Sequence, residues 1–476
     1  MSAPLTKPRT KGNKSQPKTS PVRISAVDVT DKELCDRAGL SLFVKYIEQV
    51  DVLPLLVSKL KSIRKSGKGL SVCLLLKQVL CFFIDGSSFH LTRFGELAKD
   101  SGYAKCIETK QQQMASSHQI KRFFGAFSFV HQFLLRSCLQ KLFIWRIKIE
   151  KPKLIVLDVD TMVLNNDDAR TREGVDVTYK KVKGFQPLQI IWNGYVVDAV
   201  FRRGSKHSNY SDTVAKALVH LVKLIRNNYR EDVPILLTSD SGFFDDKNFR
   251  QWEDLGIAYV CSGKLYNDIL NYVNAASPEA WTEFHNGKCR WELLEFGDRR
   301  GSWKQFRRVI YSRQRSENGQ LLMPFGGIQS LTYTNVGMGR EIDEALRREG
   351  ISHFFTSQGI IEAAHSRGVA ELTNRAVKDF GTEKMPFKRF ESNAAFYYLM
   401  LIAFNLFQAF KKDITQDIIP VNAYATTVRR LLLDIAGQFI RKSRQVTLKF
   451  SRSAWERLNI PELWNRLKTV PIPIPQ

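Results

Sequence analysis

Residues 153–163, KLIVLDVDTMV, decide the fold. A short apolar run of this kind reads as a buried strand, and two positions inside it break the apolar rule. Asp158 and Asp160 are two residues apart, so on a strand they project from the same face. A carboxylate in such surroundings needs a partner or a metal, because burying an isolated charge is costly. This strand is therefore both core and candidate site.

Downstream, PLQIIW (187–192) and YVVDAVF (195–201) flank Asn193-Gly194, the dipeptide best suited to a two-residue hairpin turn. A helix over Ser211–Asn227, a strand at PILLTSD (234–240), a helix over Phe243–Leu255 and a strand at IAYVC (257–261) follow. A hairpin followed by βαβ crossovers predicts an α/β fold, a mixed sheet flanked by helices on both faces. That element order is the ribonuclease H-like one. Asp240 falls at the carboxyl end of its strand, before a Ser-Gly turn, where α/β proteins place their sites. Taken alone, a strand-end aspartate more often caps a turn.

The remaining chain divides by pattern. Residues 1–24 hold Lys, Arg, Pro, Ser and Thr without an acid and read as a basic disordered tail. Residues 25–150 carry helical periodicity and are expected to form a DNA-binding domain; Ser116-Ser117 cap QIKRFF (119–124), whose Lys121 and Arg122 fit a helix entering a DNA groove or an ordinary solvated face. The ribonuclease H-like part takes 151–262 and 341–412, interrupted by a β-rich insertion at 263–340. In the basic region 413–476, TTVRRLLLDIAGQFIRKSR reads as a helix, QVTLKF as a strand and WERLNIPELWNRL as a last helix.

A third acid is selected by helix geometry. At about 100° per residue, Arg367, Glu371, Asn374 and Lys378 share a sector of about 60°, whereas Glu362, His365 and Asp379 point elsewhere. The same stripe, taken alone, is also what a solvated, salt-bridged helix face looks like. Three acids on separate elements suit hard cations such as Mg²⁺. Two such ions activate an attacking oxygen and stabilise the leaving one.

The whole chain carries 72 Lys+Arg against 47 Asp+Glu, a net charge of +25, which favours a polyanion as partner. The cations recur along the chain, which points to nucleic acid and away from a membrane surface. Seven cysteines form no C-x-x-C pair, so neither a zinc site nor a disulfide framework is expected. No apolar leader is visible at the N-terminus, and a cytoplasmic, nucleoid-associated protein is expected. SNAAFYYLMLIAFNLFQAF (392–410) has bilayer-spanning length, but Ser392, Asn393, Asn405 and Gln408 favour a buried core helix.

The chain also resembles the DDE transposases of bacterial insertion sequences, in the group marked by a Tyr-Arg-Glu-Lys signature. LDVDTMV is similar to the first-Asp strand, LLTSDSGFFD to the second-Asp motif, and RGVAELTNRAVKDF to the Arg-Glu-Lys helix, with the family spacing met by Arg367, Glu371 and Lys378. YKKVKGFQPLQIIWNG, FRRGSKHSN, SSHQIKRFF, QVTLKF and the β-insertion extend the likeness from about residue 85 to about 450. The signature Tyr falls at Ala364. The resemblance implies a metal site of Asp160, Asp240 and Glu371 holding two Mg²⁺ (or Mn²⁺) ions. Asp158 remains a rival for the first acid, and Asp160 fits better because Thr161 follows it. Arg367 and Lys378 would grip the DNA end, and a homodimer or larger assembly would act on double-stranded DNA. Terminal inverted repeats would be bound, cut and joined to target DNA. A ribonuclease H-like nuclease or resolvase, and an inactive transposase-derived DNA-binding protein, are the competing readings.

Overall fold

The computed structural model describes Ile24 and residues 26–63, 68–206, 212–286, 289–315 and 329–475. The expected basic tail therefore lies almost wholly outside the described residues. The strands and helices that position the site or the C-terminal region are labelled in chain order.

Among the helices that precede the sheet are α1 (Val72–Asp85), α2 (Ser117–Gly125) and α3 (Phe129–Glu150). Ser71 caps α1, and α2 opens on a full capping box between Ser116 and Gln119. Such caps satisfy amide donors that the first turn of a helix leaves unpaired. The sheet strands are β1 (Ile155–Thr161), β2 (Leu188–Trp192), β3 (Tyr195–Val200), β4 (Ile235–Ser239) and β5 (Ala258–Ser262), then β6 (Trp281–Asn286), β7 (Cys289–Asp298), β8 (Arg307–Arg315) and β9 (Gln329–Thr334). All nine form one sheet in the order β6-β7-β8-β9-β5-β4-β1-β2-β3.

Strands β1 to β5 have the ribonuclease H-like arrangement. β1 runs antiparallel to β2, β2 antiparallel to β3, β1 parallel to β4 and β4 parallel to β5. The β2–β3 turn is Asn193-Gly194 with both φ angles positive, 47° and 80°, the geometry that favours Asn-Gly. Helices α4 (Thr213–Asn228) and α5 (Asp246–Asp254) make the crossovers. The β-rich insertion is continuous with this sheet: β9 pairs antiparallel with β5, and β8, β7 and β6 follow it outward.

One apolar core joins the sheet to both ends of the chain. Ile155, Leu157 and Val159 of β1 belong to the same buried cluster as Phe82 and Phe83 of α1, Leu139 and Phe143 of α3, and Leu463 and Leu467 near the C-terminus. On the other side, Val156, Leu236 and Val260 pack with Ile360 and Ile361 of α6 (Ser357–Ser366). Helix α7 (Gly368–Phe380) continues from α6 after a break at Arg367.

The apolar segment near the end of the sheet domain is α8 (Phe390–Phe410), and it lies in the core. Its membrane-like stretch is 94% buried inside the protein. The polar residues that argued against a bilayer have partners. Asn405 donates to the carbonyl of Val196 and accepts its amide at 2.7 and 3.0 Å, Ser392 donates to the Phe124 carbonyl, and Asn393 bonds both backbone groups of Phe387. Asp198 of β3 is fully buried beneath α3, where Arg136 Nη2 at 2.6 Å and Gln140 Nε2 at 3.1 Å donate to it.

The C-terminal region corrects one expectation. The helix predicted over 426–444 stops at Asp434, and Gly437–Lys442 is a strand, β10, paired antiparallel with β11 (Gln445–Phe450). Gly437 suits this packing, because a Cβ there would lie 2.5 Å from the Ala38 side chain and 2.8 Å from Leu448. Phe439 is buried against Cys35 and Cys106, whereas its neighbours Gln438 and Ile440 are only partly covered, which is a strand pattern.

Replacing Arg136 by Met leaves Asp198 buried without its cation. Because removing one member of a buried pair costs about 3–5 kcal/mol, Arg136→Met should lower the urea midpoint by an amount equivalent to that loss. An unchanged midpoint would show that Asp198 does not depend on Arg136.

Candidate active site

The parallel register of β1 and β4 builds the site. Pairs run in step from Ile155 opposite Ile235 to Val159 opposite Ser239, so one further residue sets Asp160 beside Asp240. Both are partly buried at the carboxyl ends of adjacent strands. Asp158 lies one pleat deeper on the same face, opposite Thr238, and is 9% exposed.

Helix α7 forms the facing wall. Asn374 Nδ2 donates to Asp160 Oδ2 at 2.7 Å, and the Thr161 amide donates to Asp160 Oδ1 at 2.8 Å. Arg367, at the α6–α7 break, places Nε 3.6 Å from Asp158 Oδ1, and neither buried atom has a closer hydrogen bond. Glu371 is exposed, one turn before Asn374 on the same stripe. Lys378 donates to Glu383 at 2.9 Å.

One open cleft of about 470 Å³ is lined by Asp160, Glu371 and Asn374 together with the cations Lys180, Arg367, Arg375 and Lys378; Asp158 and Asp240 are not among its lining residues. The structure brings Asp160 and Asp240 together and puts Glu371 on the wall opposite. Among the described residues, no three His, Cys, Asp or Glu side chains are grouped closely enough to hold a metal in the present rotamers. The donor set is nonetheless all oxygen and suits a hard divalent cation. Glu371 lies on the face of α7 that Asn374 turns toward Asp160, and it lines the same cleft.

Electrostatics fit this placement. Burial pushes the Asp158 carboxyl up to about 6, against the pull of the Thr238 hydroxyl and Arg367. Burial also raises Asp160, and the charge of Asp240 adds to the rise while the Thr161 amide and Asn374 oppose it. Burial pushes the thiol of Cys261 up to about 12, so this neighbour of Asp240 stays protonated. His365 turns away to stack on Trp291, with ring centroids 4.6 Å apart, and Ala364 packs in the cluster beneath it.

Lys121 and Arg122 are exposed on α2 and do not line this cleft. Tyr179 escaped the sequence reading. It projects into the cleft from the loop between the short strands Asp176–Val177 and Lys183–Phe185, 60% exposed. Burial raises its phenol, with smaller contributions from Asp160 and Asp240, so it lies within electrostatic reach of both acids. The signal available was an aromatic among cations, Tyr179-Lys180-Lys181, in a segment otherwise committed to strands.

A family model described as transposase DDE domain group 1 matches residues 23–472, and the chain belongs to that family of transposases. A cryo-EM structure of the piggyBac transposase synaptic complex with hairpin DNA is similar at 10% identity and a TM-score of 0.33, over 93% of this chain and 86% of that one. No curated protein matches.

The raised Asp158 carboxyl has a sign that can be checked without DNA. The folded chain holds a proton there that the unfolded chain releases near pH 4, so the stability associated with it is lost as pH rises from about 4 to 6. With chelator present, Asp158→Asn should therefore be more stable than wild type at pH 8 by up to about 3 kcal/mol, and nearly equal to it at pH 4. Urea unfolding at both values measures this, and a variant less stable at pH 8 contradicts the assignment.

Proposed function

We propose that this transposase cuts DNA at terminal inverted repeats and joins the freed 3′-hydroxyl to target DNA, moving its element by a cut-and-paste route. The observation that carries the reading is the adjacency of Asp160 and Asp240 at the strand ends, with Asp160 opening on a cleft walled by Glu371 and four cations. Asp160, Asp240 and Glu371 would hold two Mg²⁺ ions, or Mn²⁺. Bound there, the ions supply activation of water or a 3′-hydroxyl and stabilisation of the leaving oxygen in an in-line displacement.

The chain's own residues account for the rest. Arg367, Arg375, Lys180 and Lys378 offset the repulsion between acids and DNA phosphate, and a guanidinium holds a phosphate through two parallel bonds. Asn374 orients Asp160. Asp158 lies behind the ligand, paired with Arg367, and couples the position of that cation to the sheet. Tyr179 offers a ring and a hydroxyl to the strand lying in the cleft. In this reading the protein acts as a homodimer or larger assembly on double-stranded DNA, in the cytoplasm and associated with the nucleoid.

A duplex carrying the element's end, incubated with protein and Mg²⁺, tests the assignment. Glu371→Gln and Asp240→Asn should each lower cleavage by more than about 10²-fold while retaining end binding, because each removes an oxygen ligand from the metals. Cleavage by Glu371→Gln at the wild-type rate would remove Glu371 from the site. Joining of a pre-cut end to a second duplex separates a transposase from a nuclease or resolvase that only cuts. End binding by the wild-type chain with no cleavage in Mg²⁺ or Mn²⁺ would favour a DNA-binding descendant, the reading raised by Ala364.

A further inference from the structure

Between Asp434 and Glu456 the chain carries five Lys/Arg and no acid. The structure gathers four of these cations on one projecting element. The hairpin β10–β11 pairs six residues on each strand, from Gly437 opposite Phe450 to Lys442 opposite Gln445, and turns at Ser443-Arg444. Its base is anchored: residues 34–35 pair with Gln438 and Gly437, and Phe439 is buried against Cys35 and Cys106. Its outer half is not covered, since residues 441–447 are all exposed on both faces, including Val446 at 61%.

Arg441, Lys442, Arg444 and Lys449 have no hydrogen-bonding or ion-pair partner among the described residues, whereas the cations near the sheet are mostly paired with acids. None of the four lines the active-site cleft. An exposed two-stranded edge invites unwanted pairing, and Lys/Arg at the edge counters that, which is one role these residues serve. It does not require four cations without a single intervening acid. A twisted two-stranded ribbon has the width that a B-DNA major groove, about 12 Å across, admits. Cations on both faces and at the tip then meet phosphates on either side of the groove.

We infer that the β10–β11 hairpin is a second DNA-binding element, a cationic ribbon that seats in a groove of duplex DNA outside the catalytic cleft. This rests on the DNA-acting function proposed above and adds a site to it. The partner is duplex DNA because the ribbon offers charge and reach but no aromatic platform for unstacked bases.

The test uses the full chain and a linear duplex without element ends, with affinity measured by fluorescence anisotropy across a series of salt concentrations. Each phosphate contact contributes about 0.9 to the slope of log K against log salt. Arg441→Gln/Lys442→Gln/Arg444→Gln should therefore lower the slope by about 2–3 and weaken binding at moderate salt roughly tenfold or more. Its thermal midpoint should match wild type, since the three exposed side chains form no hydrogen bond or ion pair with a described residue. Arg441→Lys/Arg444→Lys, which keeps the charges, should restore the slope. A triple variant with the wild-type slope, beside a wild-type chain that binds, overturns the ribbon and leaves the proposed function standing. A wild-type chain that binds no duplex at any salt concentration overturns the proposed function itself.

Discussion

The parallel pairing of β1 with β4 is the constraint on which the rest depends. In a pleated ladder the side-chain period is two, so a slip of one residue would turn Asp158 and Asp160 into the apolar core and bring Val159 to the cleft. The apolar alternation forbids that slip. Ile155, Leu157 and Val159 are held on the other side by the aromatic core, and this burial, at about 1.5–3 kcal/mol for each large side chain, outweighs the cost of burying Asp158 and partly covering Asp160. Core packing thus fixes the position of the acids to within a side chain's length.

The opposite wall depends on the sheet less directly. Helix α6 is fixed by Ile360 and Ile361 against Val156, Leu236 and Val260, and the chain bends at Arg367 before α7 crosses the strand ends. The insertion matters here because β6 to β9 widen the surface on which α6 rests. Trp291 of β7 stacks on His365, one helical turn from the stripe that carries Glu371. A module that sequence pattern separates from the central sheet is therefore part of the platform that supports α6 and, through it, α7.

The legible parts of the sequence were those set by local pattern. The strand at 155–161, the Asn-Gly hairpin, the crossover helices and the polar stripe of 367–378 all follow from periodicity and turn chemistry, and so does the mixed sheet they form. What escaped was set by contacts distant in the chain. The merging of the insertion into one sheet depends on Thr332–Thr334 meeting Val260–Ser262, which no local signal announces. The strand at 437–442 was masked by the helical period of the preceding LLLDIA, and it pairs with Leu34–Cys35, about four hundred residues away. Within the stripe, geometry put Glu371 and Asn374 on one side but could not choose which would reach Asp160; in the structure Asn374 does. Tyr179 sits on a loop whose direction only the tertiary fold determines.

The hydrogen bond from Asn374 to Asp160 closes a separation of 214 residues, and the nine-stranded sheet requires β9 before α6 has a full surface to cover. At a synthesis rate of about 5–20 residues per second, roughly 10–40 s pass between the emergence of the first acid and of the helix that faces it. For that interval the nascent chain has a strand with two carboxylates and no opposing wall. The long insertion therefore acts as a delay. A chain built this way has no assembled cleft until nearly all of it has been made, and a copy terminated before α7 lacks the wall that faces Asp160.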